Sequence, residues 1–363
     1  MNGAKIFIPL LLLLLCLTGC THSERSQIKA AVGQELGRLG KSSFPVSAEE
    51  EELFIGSLLG PGLLPEASEV YAKFFEGFHY KVEKINYQKG DLSASVSVSA
   101  RTRDGYGLAK CYAKAQLREE MLRSATGGSL PLSSEDLYSL LGDVLDKNET
   151  KMIDTHFEVG LQKTGDSWKV FQSEALENAL VGGFLSASQD PYLLSPAETL
   201  SAWFDTLREM DISAMSSYLG LDGLDTENRR YAAALMDQVK KYFNYQIIAT
   251  EETSSSSASV QVAITTFQIS AIKEAYRKAL QDYLSTAEAV IDGEETRYEK
   301  ACELLVKCIE NNELTTTVSV SFLLFHDGTS WCLAQNESED LGEAIFGTLP
   351  GELVFMEEEE EDE

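Results

Sequence analysis

The sequence predicts an α+β protein built as two copies of one domain, each setting helices against an antiparallel sheet. Three observations predict it. The length, 363 residues, exceeds one ordinary domain. Ala258, Val260, Val262 and Ile264 alternate with Ser259, Gln261 and Ala263, the pattern of a strand with one buried face. Segments also recur in order at an offset of 163 to 165 residues. Phe78-His79-Tyr80-Lys81-Val82 matches Phe243-Asn244-Tyr245-Gln246-Ile247, and Ala94-Ser95-Val96-Ser97-Val98 matches Ala258-Ser259-Val260-Gln261-Val262. Tyr112-Ala113-Lys114-Ala115 matches Tyr276-Arg277-Lys278-Ala279, Gly165-Asp166-Ser167-Trp168 matches Gly328-Thr329-Ser330-Trp331, and Gly183-Phe184-Leu185 matches Gly347-Thr348-Leu349. A period this long marks a duplicated domain, not a solenoid.

The second copy reads more cleanly. Ser195-Pro196-Ala197-Glu198 is a capped helix start, with Ser as cap, Pro at the first position and Glu three residues after the cap. Leu200, Trp203, Phe204 and Leu207 follow at helical spacing. Asp211–Leu219 begins a short second helix and Glu227–Tyr242 a third. Carboxylates in Asp222–Glu227 lack a glycine at the calcium-loop position and the terminal bidentate glutamate, so they read as a helix cap. Tyr245–Thr250 is a strand, and the alternating strand follows the Ser254–Ser257 turn. Ile269, Ile272, Tyr276, Ala279, Leu280, Tyr283 and Ala287 trace one face of a long helix. Another helix spans Glu295–Glu310. Val318, Val320, Phe322 and Leu324 alternate, His326–Thr329 turns, and Trp331 and Leu333 begin the last strand before a short helix over Glu339–Phe346.

The first copy repeats this order. Leu92, Ala94, Val96, Val98 and Ala100 form the alternating strand, Tyr106–Ala125 and Ser134–Lys147 the helices, and Phe157, Val159 and Leu161 precede a Thr164-Gly165-Asp166 turn. Ile55–Pro65 has no period. Helices and strands that do not alternate strictly argue for antiparallel sheets. The boundary between copies falls in turn-rich Ser186–Pro196.

Acidic residues number 58 against 30 basic, a formal charge of −28. That balance argues against nucleic acid as a partner and against electrostatic docking on anionic lipid. Within Ser23–Ser188 the count is 18 basic and 24 acidic residues; within Gln189–Pro350 it is 11 and 26, so the second copy is the less suited to an anionic partner. Residues 351–363 form an acidic tail, with Glu357 to Glu363 uninterrupted; such a block repels itself and stays solvated.

Lys5 is the only charge in Met1–Cys20, and Ile6–Leu17 is almost continuously apolar. Twelve residues rise about 18 Å as a helix, short of a bilayer core of roughly 30 Å, so the run reads as an export signal. It ends in Leu17-Thr18-Gly19-Cys20, which resembles the lipobox of bacterial lipoproteins. The resemblance implies a signal peptide over 1–19 and a diacylglycerol-modified Cys20 as the first mature residue. It places the protein on the extracytoplasmic face of a membrane. Two acyl chains anchor stably where one is marginal, at about 0.8 kcal/mol per buried CH₂. Residues 20–27 then read as the lipidated cysteine and a polar tether, 28–188 as the first copy and 189–350 as the second.

The order of helices, two strands, long helices and a hairpin ending in Gly-x-Ser-Trp resembles the NTF2-like or cystatin-like proteins found among bacterial lipoproteins. Ala197–Leu219, with Trp203-Phe204 and Asp211, resembles that family's opening helix. The resemblance covers most of Ala197–Leu349 and, more loosely, Tyr71–Leu185. It implies a curved sheet wrapped around a helix, leaving a cone-shaped cavity. The long helical insertion in each copy departs from the plainest form.

Chemistry is sparse. His22, His79, His156 and His326 stand at no metal-ligand spacing and read as surface residues. Cys111, Cys302, Cys308 and Cys332 read as buried free thiols, with a single bridge in the second copy as the alternative. No nucleophile elbow, phosphate loop or dinucleotide fingerprint is present, and no cofactor is expected. Four repeat-shared aromatics, Tyr112, Trp168, Tyr276 and Trp331, read first as core and second as walls of a ligand cavity. The expected function is non-enzymatic: a lipid-anchored protein binding a small ligand, a peptide or an envelope partner. A scaffold or spacer in an envelope assembly is the alternative, and an isomerase or dehydratase of the resembling fold a third reading.

Overall fold

In the computed structural model, residues 24–39, 65–147, 151–218, 229–334 and 337–346 are described. The chain divides into two compact units. The first comprises Met1–Gln116 and Leu132–Leu193; the second comprises Leu117–Pro131 and Leu194–Glu363. Each contains a four-stranded antiparallel sheet with helices, an α+β arrangement.

In the first unit, helix α1 covers residues 24–39 and α2 Pro65–Phe74. Strands β1 (His79–Asn86) and β2 (Ser93–Arg103) follow, then α3 (Gly105–Thr126) and α4 (Ser134–Lys147). Residues of α3 from Leu117 onward belong to the second unit. Strands β3 (Met152–Thr164) and β4 (Ser167–Val170) complete the sheet, and α5 (Glu174–Leu180) and α6 (Phe184–Ser188) end the unit. The polar stretch read as a tether is helical from Glu24 on, because Ile28, Val32 and Leu36 recur every fourth residue and bury completely. At about 1.5–3 kcal/mol per buried side chain, that stripe decides the conformation.

In the second unit, α7 (Pro196–Glu209) begins with the expected capping box. Ser195 Oγ accepts from Glu198 N, and Glu198 reaches back to Ser195 N. Helices α8 (Ile212–Tyr218) and α9 (Arg229–Tyr242) precede β5 (Asn244–Ser254) and β6 (Ser257–Phe267). Then come α10 (Ile269–Leu284), α11 (Ala287–Ile291), α12 (Glu294–Glu310), β7 (Thr315–His326), β8 (Trp331–Leu333) and α13 (Glu337–Phe346). The long helix expected through Ala287 ends at Leu284. Ser285 Oγ donates to Asp282 O, Thr286 Oγ1 donates to Tyr283 O, and Thr286 caps α11 by accepting from Ala289 N. Met121 and Leu122, strong helix formers, occupy the corresponding place in the first copy, where α3 stays continuous.

The two units correspond in backbone detail. β2 starts at Ser93 and β6 at Ser257, 164 positions apart. Ser93 pairs with Gln162 and Ser257 with Phe325, so β2–β3 and β6–β7 share one register at an offset of 164 in one strand and 163 in the other. β1 slips between Val82 and Lys84, and β5 slips between Ile247 and Ala249, opposite Val98 and Val262 respectively. Both sheets thus carry a bulge at the same place, which bends the strand and increases its twist.

Each unit has its own core. In the first, Val96, Val98 and Val159 meet α1, α2 and α4. In the second, Val260, Val262, Ile264 and Phe322 lie among α7, α9, α10 and α12, and Met121 and Ala125 join the same cluster. Phe204 is its aromatic centre, 4.9 Å from Tyr245 and 5.6 Å from Phe322. Two glycines permit one tight passage in the first unit. A Cβ on Gly182, at φ +62°, would stand 2.0 Å from Arg103 O; one on Gly105 would stand 2.2 Å from Val181 O. Gly105 N donates to Gly182 O at 3.2 Å across that approach.

Candidate functional site

The four shared aromatics occupy equivalent places in the two cores. Tyr112 lies on α3 and Tyr276 on α10, 4% and 2% exposed. Tyr112 Oη donates to Leu137 O at 3.2 Å, and burial pushes both phenols above their ordinary range. Trp168 on β4 and Trp331 on β8 are each 6% exposed. Trp168 meets the Tyr87 ring edge-on at 5.5 Å, and Trp331 meets the His326 ring edge-on at 5.2 Å. The four residues are packed into the apolar clusters of their units.

Around Trp168 the structure builds a polar constellation that sequence reading missed. Lys163 Nζ pairs with Glu24 Oε1 at 2.7 Å and stands 5.9 Å over the Trp168 ring. Tyr87 Oη donates to the other Glu24 oxygen and accepts from Gly90 N at 3.2 Å. The Lys163 ammonium and then the Tyr87 hydroxyl hold the Glu24 carboxyl below its ordinary range, and Glu24 in turn raises Lys163. Trp168 Nε1 is buried there with no hydrogen-bond partner. Glu24 and Lys163 are 139 residues apart, a contact without sequence period.

The second unit has an open groove of about 490 Å³ between α10 and α12. Ala271, Ala275, Ala279 and Leu304 give it an apolar lining, and Lys307 and Glu313 supply charge. None of the four shared aromatics lines it. The four-residue spacing of the alanines is the sequence signal that could have found it: short side chains on one helix face leave space. Asn312, which also lines the groove, is held by structural hydrogen bonds. Its Nδ2 donates to Gln238 Oε1 at 3.2 Å and to Leu314 O at 3.0 Å.

His79 and His156 are exposed, but His326 is buried, its Nδ1 accepting from Gly328 N at 3.1 Å. It sits between the Trp331 ring and the turn backbone. Asp327 Oδ1 accepts from Thr329 Oγ1 and from Thr329 N and Ser330 N in the same turn, so its carboxyl is held far below the ordinary range. Cys111, Cys302, Cys308 and Cys332 are free and half-buried, and burial raises the Cys308 and Cys332 thiols. Among the described residues there is no metal-binding cluster of His, Cys, Asp or Glu, and no helix long and apolar enough to cross a membrane. Cys20 with its lipobox, His22, Asp222–Glu227 and the acidic tail lie outside the described residues.

No family model matches the chain, and no curated protein matches it. Among solved structures it is similar to the crystal structure of "a putative lipoprotein (ycdA)" from Bacillus subtilis subsp. subtilis str. 168. The identity is 14% and the TM-score 0.31, over 74% of this chain and 96% of that one, a likeness too shallow to define a shared fold.

Proposed function

We propose that this chain is a bacterial lipoprotein, held on the extracytoplasmic face of a membrane by diacylglycerol on Cys20. There it binds a small ligand, a peptide or an envelope partner without catalysing a reaction. The observation that carries the reading is Leu17-Thr18-Gly19-Cys20 at the end of a short apolar run. Each unit is read as NTF2-like or cystatin-like; the bulged antiparallel sheets with helices packed on one face support that reading. The α10–α12 groove is the candidate ligand site, its volume falling within the usual range of about 300–1,000 Å³.

Intact mass of the chain extracted from membranes tests the anchor. Loss of 1–19 with a diacylglyceryl adduct on Cys20 is expected, and Cys20→Ala should abolish both. A chain retaining 1–19 with an unmodified Cys20 overturns the reading. Native mass spectra of the detergent-released protein test the binding: an adduct lost on denaturation supports it and gives the ligand class by mass. The scaffold reading draws support from the apolar side chains left outside, Leu323 and Phe325 on β7 and Val290 and Ile291 on α11. A bare native mass together with a co-purifying envelope protein would favour it.

A further inference from the structure

Only Thr21, His22 and Ser23 stand between Cys20 and Glu24. Four residue steps reach at most about 14 Å, whatever their conformation. Glu24 is fastened by Tyr87 and Lys163 to one end of the first sheet. Behind it, Ile28, Val32 and Leu36 keep α1 docked, because peeling the helix away would expose the whole stripe to water. α1 runs antiparallel to β1: its first residue meets Tyr87, near the end of β1, and Gly33 O accepts from Tyr80 Oη near the start. A chain anchored through Cys20 therefore has no long leash between its anchor and α1.

The sheet end that Glu24 holds is where β1 turns into β2 and β3 into β4. Lys163 N donates to Leu92 O at 2.8 Å, which ties the two turns together. The tip comprises Lys89, Gly90, Asp91 and Leu92, all exposed, Leu92 by 71%. An exposed leucine beside a long-stemmed lysine suits the boundary between head groups and water.

We propose that this end of the first unit, led by Leu92 and Lys89, lies against the lipid head groups of the membrane that holds Cys20. The inference rests on the lipoprotein reading. The covalent anchor supplies the affinity, which the acidic protein could not draw from charge; the clasp on Glu24 supplies the orientation. The opposite end of the sheet faces away. Arg101 pairs with Asp154 there, eight positions along β2 from Ser93, or about 27 Å at the usual strand rise.

Photo-crosslinking tests it on the full lipidated chain in vesicles of phosphatidylglycerol and phosphatidylethanolamine. p-Benzoylphenylalanine replaces Leu92 in one variant and Asp154, also exposed, in another. Diacylglyceryl on Cys20 is verified by intact mass in each. Lipid adducts are expected at position 92 and not at 154. A third variant carries a twenty-residue Gly-Ser spacer between Ser23 and Glu24, a coil of roughly 25 Å mean extent, and should lose the adduct at 92 while remaining acylated. Equal adducts at both positions, or none at 92 in a chain shown to be acylated, overturns the orientation and leaves the anchor standing. An unacylated Cys20 overturns both.

Discussion

Gly182→Ala should unfold the first unit at a markedly lower temperature. Gly182 has φ +62°, and an added Cβ would stand 2.0 Å from Arg103 O and 3.1 Å from Gly105 N. The left-handed backbone alone costs an L-residue roughly 1–2 kcal/mol. Forcing two backbone segments apart adds about 1–3 kcal/mol, as overpacking generally does. The sum is about 3 kcal/mol, or roughly 6–12 °C for a unit of this size at about 2–4 °C per kcal/mol. Gly90→Ala is the control: Gly90 has φ +95°, yet its Cβ would meet nothing within 4 Å, so only the backbone penalty applies. Scanning calorimetry of the two variants separates strain from contact. If Gly182→Ala melts with or above Gly90→Ala, the close approach of the Arg103 and Gly182 backbones is not holding this part of the fold.

The Glu24 clasp should be pH-dependent. A carboxyl whose folded pKa is depressed stabilises above its unfolded value, near 4.5, and loses that contribution as pH falls through the folded pKa. The raised Lys163 contributes below its unfolded value, near 10.5, and loses it as pH rises. Urea midpoints of the wild type and Glu24→Gln should therefore differ at neutral pH and converge in acid; a gap unchanged at pH 3 would refute the clasp. Tyr112→Phe should cost about 1 kcal/mol by deleting the hydrogen bond to Leu137 O, read as a lower midpoint in the same assay. Cys308 and Cys332 should alkylate slowly at neutral pH in the native chain and quickly in denaturant, since burial keeps them as thiols; native rates equal to a model thiol would refute that placement.

Much of the fold was legible because its signals are local. Alternation in Ala94–Ala100 and Ala258–Ile264 gave the central strands, and Ser195 with Glu198 gave the start of α7. Ser134–Lys147 was read to the residue. The break at Ser285 escaped because apolar spacing continues through it, while the two side chains that end the helix do so by hydrogen bonding. The clasp escaped for a deeper reason. Glu24 lies on α1, Lys163 on β3 and Tyr87 in the turn after β1, and nothing periodic links them; only the assembled sheet brings them together. The groove was half legible, in the alanine spacing of α10. The four shared aromatics are buried in the cores of their units, Tyr112 and Tyr276 on helices and Trp168 and Trp331 on the last strands.

The two registers also record a history. Between β2 and β6 the offset is 164, and between β3 and β7 it is 163, yet the pairs opposite one another are unchanged. A one-residue difference has therefore accumulated in the helical segment that joins the strands, and the sheet has absorbed none of it. A slip of one residue in a strand would turn every core side chain outward; a helix and its loops can gain or lose a residue and repack. The central strand pairs are thus what the two units share most closely, and the helical arms are where they differ in length, so any difference of task between the units should be sought on the arms.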